Sequence, residues 1–499
     1  MSPVFEGFAQ LADPTVLLCI LIGALAGILI GAFPGITATM AVALASTFTL
    51  TMDPVPGLAV LLTIYVAANF GDRVPAILVN TPGTPASIAT TFDGYPMAKQ
   101  GKAGIALTTS AFGSAIGTLA GLLVLIFAAI PLANVALRFG PAEIFALVIF
   151  GLTMMIGVSG NNVLKGLAAG AFGLALSAVG RDPILGTERM TFGVLELSDG
   201  LPFIAVIIGL FGIADVLDQM LTRKKEGMEP IKNLGRWMPN REERRQIVKP
   251  VAIGTGVGAV VGAVPAAGGD IAGITSWSAA RGASKHPEEF GKGSLEGLTA
   301  GDTASNATLG PSVTTTLALG VPGDSVMAVL IGSLVVWGFQ PGPGLFSSRP
   351  DLVYTIAGIM AIATILTLVL SLVRMKGVAK LLELPPHFLW TVVIVFCLVG
   401  TFAVNNSTVD VVVMVVFGLV GLFMRRFGFP AGPVVLGLIL GELAESNLRR
   451  SLEIGGAGNI LSSPIAMVIL VISALAVTLP PVLRAVRRRR LGRREALLR

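Results

Sequence analysis

Residues 69–104 read NFGDRVPAILVNTPGTPASIATTFDGYPMAKQGKAG. The stretch opens inside an apolar run, yet Asp72 and Arg73 stand side by side in it, where a lipid-facing charge costs several kcal/mol. Asn80-Thr81-Pro82-Gly83-Thr84-Pro85 follows, and two prolines with a glycine in so short a space cannot continue an α-helix. A helix broken at membrane depth persists only where protein or a watery cavity satisfies the freed backbone groups. The restarted helix then presents N–H groups that attract anions, which is how transporters build a solute site. A simple kink in a packed helix is the competing reading of the same prolines.

The composition says which solvent this stretch sits in. Of 499 residues, 54% are hydrophobic and 13% charged, with a mean hydropathy of +0.83. A soluble domain carries about 25% charged residues. Long apolar runs recur from end to end, so the chain reads as an all-α, polytopic integral membrane protein with roughly 12 spans of about 20 residues in a lipid bilayer. A transmembrane barrel would show short alternating segments instead. The 61 glycines and 30 prolines suit close helix packing and broken helices. Cys19 and Cys397 lie in apolar runs and read as buried thiols. His286 and His387 are the only histidines, and no Cys/His cluster has metal-ligand spacing. The opening MSPVFEGFAQLADP has no basic n-region, so no cleaved signal peptide is expected.

The net charge of +6 is concentrated beside the membrane spans. Residues 222–249 carry nine Lys/Arg against four Glu, and the C-terminal segment RAVRRRRLGRREALLR is strongly basic. Both are expected to be cytoplasmic by the positive-inside rule, with anionic lipid rather than nucleic acid as the tail's contact. The division that follows is 1–221 as a first transmembrane repeat and 222–249 as a cytoplasmic linker. Residues 250–484 are a second repeat plus an extra C-terminal helix, and 485–499 are a basic tail.

The two halves repeat the same features. Phe33-Pro34-Gly35 has a counterpart in Val264-Pro265-Ala266, and Thr81-Pro82-Gly83-Thr84 in Val321-Pro322-Gly323-Asp324, each about 230–240 residues apart. Paired breaks of this kind point to inverted pseudo-symmetric repeats around a transport site. Asp93-Gly94-Tyr95-Pro96 reads as turn chemistry. Gly254, Gly258 and Gly262 have the spacing of small-residue helix packing. Glu442 and Glu445 are spaced for local pairing with Arg449 and Arg450.

At these motifs the chain resembles the large membrane subunit of the tripartite tricarboxylate transporters, the TctA family. The matching stretches are AILVNTPGTPASIATTFDGYPMAKQGKAG, ASKHPEEFGKGSLEGL, LALGVPGDSVMAVLIGSL, QPGPGLF and FGFPAGPVVLGLILGELAESNLRRSL. The resemblance implies a permease of the bacterial cytoplasmic (inner) membrane, working with a small membrane subunit and a periplasmic solute-binding protein. It implies carboxylate substrates and an ion gradient, Na⁺ or H⁺, as the driving force, with no other cofactor. No P-loop is present, and no nucleophile–base pair or zinc cluster supports an enzyme. A channel-like anion pore is the alternative transport class. The chain departs from the family pattern at Phe70-Gly71-Asp72-Arg73, at Pro265-Ala266-Ala267-Gly268-Gly269 and at Ala300-Gly301-Asp302-Thr303-Ala304-Ser305-Asn306-Ala307. All three lie where the site is expected.

For substrate, Asn80, Thr81, Pro82, Gly83 and Thr84 offer the N–H and O–H donors that carboxylate oxygens need, with Pro322, Gly323 and Ser325 as the facing wall. Arg73 can grip a carboxylate in a bidentate fork, or neutralise Asp72, Asp302 or Asp324. For the coupling ion, the second pair of breaks supplies Pro34, Gly35, Thr37, Thr39, Pro265, Gly268 and Gly269, and Asp302, Ser305, Asn306 and Asp324 add hard oxygens. Interhelical hydrogen bonding is the plain alternative for the latter group.

Overall fold

The computed structural model describes residues 3–33, 36–158, 163–182, 184–222, 231, 234–265, 267–381, 386–475 and 478. Helices form nearly all of it. Among the described residues six are long and apolar enough to cross a membrane: Pro14–Gly31, Pro54–Val79, Ala103–Val135, Phe203–Thr222, Asp351–Val373 and Thr408–Arg426. Six shorter apolar helices accompany them, at Ala38–Thr49, Pro141–Thr153, Val163–Ser177, Ser325–Val336, Trp390–Asn405 and Pro464–Leu475. The expected spans therefore divide into full crossings and pieces too short to cross alone, since a crossing needs about 20 residues. Gly35, Pro34, Ala266, the C-terminal tail and much of the 222–249 linker lie outside the described residues.

The chain packs into two compact units. One runs to Leu137 and from Ile204 to Leu422; the other comprises Arg138–Phe203 and the chain from Phe423 on. Each draws on both halves of the sequence.

In the first unit twelve helices position the site. They are α1 (Pro14–Gly31), α2 (Ala38–Thr49), α3 (Pro54–Gly71), α4 (Arg73–Val79), α5 (Ile88–Lys99) and α6 (Ala103–Ala136). The second half adds α7 (Arg241–Gly262), α8 (Gly268–Ala283), α9 (Leu295–Ala307), α10 (Leu309–Leu319), α11 (Ser325–Val336) and α12 (Asp351–Leu381). Short polar side chains start several of them. Asp13 accepts from the Thr15 N–H at 2.7 Å, Thr37 from Met40 at 3.1 Å, and Asn240 from Glu243 at 2.8 Å. Each such cap is worth about 1 kcal/mol.

The apolar core of this unit joins α3, α4, α5 and α6 through Ala67, Val74, Ile77, Leu78, Met97 and Leu107. Against α9 lies α7, and glycine sets their approach. A Cβ on Gly254 would meet the Ala300 carbonyl at 2.8 Å, and one on Gly258 the Ala304 carbonyl at 2.4 Å. One on Gly262 would meet the Thr308 Cα at 2.6 Å. The small-residue spacing read in the sequence is therefore a packing seam.

One expectation fails here. Asp93-Gly94-Tyr95-Pro96 lies inside α5, not in a turn. Asp93 is buried, and its carboxylate accepts from the backbone N–H of Gly291, Gly293 and Ser294 and from Trp277 Nε1 at 2.7–3.0 Å. Those four long-range bonds outweigh local turn preference.

In the second unit, helices Pro141–Val158 and Val163–Ser177 pack on Gly432–Ser462. Gly173 sits where a Cβ would lie 2.2 Å from the Val434 carbonyl. A short antiparallel hairpin pairs β1 (Gly180–Arg181) with β2 (Glu188–Arg189). It is tied down by alternating charges. Arg189 bonds Glu445 at 3.0 Å and lies 3.4 Å from Asp182, while Arg449 bonds Glu445 at 2.5 Å and Asp182 at 3.1 Å. The expected Glu445–Arg449 pair thus forms, and the hairpin extends it. The Ile184 and Leu185 N–H groups bond the Asp182 carboxylate, and with both arginines they hold its pKa down to about 2.

Two outcomes test this packing by thermal unfolding in detergent. Gly258→Ala costs about 1–3 kcal/mol through overpacking, whereas Gly256→Ala, which meets nothing within 4 Å, gains up to about 1 kcal/mol of helix propensity. Because the folded state depresses the Asp182 pKa, its contribution is complete above about pH 4. It is lost as pH falls through about 2. Protease cleavage within 184–195 should therefore stay slow from neutral pH to about 4 and accelerate below it, and Asp182→Asn should make it fast at neutral pH.

Candidate functional site

Two prolines place the helix breaks. Pro75 is the third residue of α4 and Pro311 the third of α10. A proline has no N–H for the carbonyl four residues back and its ring crowds that carbonyl. Those carbonyls belong to Gly71 and Ala307, where α3 and α9 end. Both restarted helices stop in the left-handed region, at Asn80 (φ 54°) and Gly320 (φ 71°), a common helix ending that asparagine and glycine tolerate. Beyond each stop the chain folds back on its own helix. A Cβ on Gly83 would lie 2.8 Å from the Asp72 Cβ, and one on Gly323 would lie 2.4 Å from the Ser312 Cα. Only glycine allows the backbone so near.

The first break assembles an ionic cluster. Arg73 Nη1 lies 2.8 Å from Asp72 Oδ1, and Arg73 Nε lies 3.4 Å from Asp302 Oδ1 on α9. The arginine side chain is 2% exposed and both carboxylates are 0% exposed. Thr84 donates its hydroxyl to the second oxygen of Asp72, and Thr90 donates to Asp302 Oδ1. Asn306 Nδ2 donates to the Asp302 carbonyl at 2.9 Å and to Ser114 Oγ on α6 at 3.1 Å. Among the described residues, Arg73 Nε and Nη2, Asp302 Oδ2 and Asn306 Oδ1 are buried without a hydrogen-bond partner. With both carboxylates ionised the cluster carries one uncompensated negative charge. An uncompensated buried charge costs several kcal/mol. A cluster of this kind can hold a monovalent cation or a proton, and its spare guanidinium N–H groups can bind an anion.

The second break is capped from within. Asp324 starts α11, accepting from the Met327 N–H at 2.9 Å, and also accepts from the Tyr65 hydroxyl of α3. Ser325 Oγ and Thr39 Oγ1 of α2 are 2.8 Å apart. Contacts from the second half reach the first break in the same way. Ser305 Oγ of α9 donates to the carbonyls of Ala86 at 3.1 Å and Gly269 at 3.0 Å, and a Cβ on Gly269 would meet Ala86 at 3.2 Å. Polar or close contacts thus cross between the halves beyond each break: α3 and α2 reach the start of α11, and α9 and α8 reach Pro85–Ser87.

Of the residues expected from sequence, Arg73, Thr84 and Asp302 meet in one cluster, with Asn306 at its edge. Thr39 meets Ser325. Gly83, Gly323 and Gly269 serve close backbone passages, and Gly268 takes a left-handed φ of 59°. Thr37 caps α2, Asn80 ends α4, and the Thr81 N–H closes on the Pro75 carbonyl at 3.2 Å. Pro322 is buried and Pro82 half-buried. The Arg73 alternatives resolve to Asp72 and Asp302, with Asp324 held by Tyr65 instead. Tyr65, Thr90 and Ser114 were missed. A signal for Ser114 exists in the Ser110, Ser114, Thr118 stripe along one face of α6. Thr90 and Tyr65 carry none, because their partners lie in the other half of the chain.

Residues 17–436 match the family model described as "Tripartite tricarboxylate transporter TctA family". An Agrobacterium vitis protein named "Uncharacterized 52.8 kDa protein in TAR-I ttuC' 3'region" is 37% identical over 96% of each chain. A second from the same organism, "Uncharacterized protein in TAR-II ttuC' 3'region", is 34% identical over 44% of this chain and 93% of its own length. No solved structure matches. A family match over most of the length, on a helical chain with several apolar spans, establishes the class: the chain is a transporter-family membrane protein and belongs to the tripartite tricarboxylate transporter TctA family.

Proposed function

We propose that this chain is the large permease subunit of a binding-protein-dependent tripartite transporter in the bacterial inner membrane, and that it takes up di- or tricarboxylate anions on an ion gradient. A small membrane subunit and a periplasmic solute-binding protein complete the system. The observation that carries the reading is the buried Asp72–Arg73–Asp302 cluster at the first helix break. A coupling cation, Na⁺ or H⁺, offsets its extra negative charge, with Asp302 Oδ2 and Asn306 Oδ1 as the open ligands. Neutralising the carboxylates frees Arg73 for the substrate carboxylate, which links cation and anion binding. Because the cluster is sealed, substrate reaches it only when the break residues move. The matched breaks and the crossed contacts between halves support two inverted repeats that rock about this centre.

The first test is uptake of labelled di- and tricarboxylates into proteoliposomes holding both membrane subunits, with the binding protein outside. An inward Na⁺ gradient is compared with a matched H⁺ gradient. Saturable uptake that follows one ion is expected; non-saturating flux indifferent to both would indicate a pore. Asp302→Asn should leave a folded protein, since an amide oxygen can still accept from Thr90, but lower coupled uptake at least about tenfold. In the same preparation Na⁺ at a hundredfold its Kd should stabilise the wild type by about 2.7 kcal/mol over choline, and Asp302→Asn should abolish that gain. A gain that instead tracks acidification names the proton.

Arg73→Gln leaves two buried carboxylates unpaired and should cost about 3–5 kcal/mol. Adding Asp72→Asn should recover most of the stability without recovering uptake. Recovery of both would assign Arg73 to structure alone.

A further inference from the structure

A cavity of about 320 Å³ lies in the first unit, away from the breaks. Arg245, Lys249 and Ile253 line it from α7, Ala280 and Ala283 from α8, Lys285 from the chain just beyond, and Glu296 from the first turn of α9. Three cations thus face one carboxylate. Neither Arg245 nor Lys285 forms an ion pair with any described residue. The Lys249 ammonium donates to the Ala283 carbonyl, which leaves two of its three protons free.

The cavity stands at a polar–apolar border. Lys249 is the last charge on α7; from Pro250 to Gly262 the helix carries none. Its glycine seam faces α9. The face bearing Arg245, Lys249 and Ile253 recurs every four residues and continues seven residues on to Val260, which is 70% exposed. A cavity lined by cations together with Ile253, Ala280 and Ala283, and continued along α7 by an exposed apolar residue, matches an amphiphile with an anionic head. The basic 222–249 segment feeds directly into α7, which puts the border on the cytoplasmic side by the positive-inside rule. We propose that this cavity binds the phosphate of an anionic phospholipid of the cytoplasmic leaflet, with Arg245 and Lys285 gripping the phosphate oxygens and an acyl chain lying along Ile253 and Val260.

The test uses the delipidated full-length protein in detergent, with thermal shift and native mass spectrometry as readouts. The probes are dioctanoyl phosphatidylglycerol, dioctanoyl phosphatidylcholine and inorganic phosphate. Phosphatidylglycerol should bind and stabilise, and phosphatidylcholine should do neither. Arg245→Gln with Lys285→Gln should weaken phosphatidylglycerol roughly 30-fold. Glu296→Gln removes the one opposing charge and should tighten it. Both changes are at exposed or half-buried positions and spare the packing seam. Equal binding of the two lipids, or phosphatidylglycerol binding unchanged in the double variant, overturns the site. Stabilisation by phosphate alone, equal to that by the lipid and competitive with it, assigns free phosphate as the ligand and overturns the lipid.

Discussion

The structure turns on a charged cluster placed where water cannot reach it. Arg73 lies 2.8 Å from Asp72 and 3.4 Å from Asp302, and all three are closed off from solvent. Burying such ions is costly, and their mutual attraction repays the cost only when geometry and hydrogen bonds are nearly complete. Much of the surrounding architecture provides those bonds. Thr84 is delivered to the Asp72 carboxylate by the fold-back over Gly83, and Thr90 to that of Asp302 by the first turn of α5, while Asn306 bonds the Asp302 backbone carbonyl. What stays incomplete is as telling. Among the described residues a carboxylate oxygen of Asp302, the amide oxygen of Asn306 and Arg73 Nη2 are buried without a hydrogen-bond partner.

The same constraint explains the crossed contacts between halves. A restarted helix inside a membrane has backbone groups that no lipid can satisfy. Here Ser305 donates to the Ala86 carbonyl beside Pro85–Ser87, while Tyr65 and Thr39 bond the side chains of Asp324 and Ser325 at the start of α11. Each break thus has a polar contact from a residue of the other half. The halves are not identical. The segment from Pro311 to Gly320 is one turn longer than that from Pro75 to Asn80, and the second break is capped by its own Asp324 where the first recruits Asp72.

Away from the site the fold follows plainer rules. Glycine seams on α7 and on Val163–Ser177 let helix backbones touch, which substitutes for the hydrophobic driving force that lipid removes. Charges pair where they meet, as in the Asp182–Arg189–Glu445–Arg449 ring, and three cations with one carboxylate line the α7–α9 cavity.

Composition and apolar runs were enough to declare a helical membrane protein, because the cost of an unsatisfied backbone in lipid leaves few alternatives. The breaks at Asn80–Pro85 and Gly320–Asp324 were equally legible, since proline and glycine act through local sterics. Other features were not. Asp93-Gly94-Tyr95-Pro96 reads as a turn, and the helix there is held by four bonds from residues near 277 and 291–294. Pro75 and Pro311 were visible as residues, but nothing local showed that they, rather than the later Pro-Gly pairs, end α3 and α9. The partners of Arg73 stayed open among three carboxylates, because adjacency on a helix does not say which way a side chain points. Sequence by itself determined the solvent, the helical class and the Pro-Gly interruptions, all of which depend on neighbours along the chain. Only the tertiary structure decided that Arg73 meets Asp302 and Tyr65 meets Asp324, because electrostatic energy depends on distance through space, and those pairs stand more than 200 residues apart in sequence.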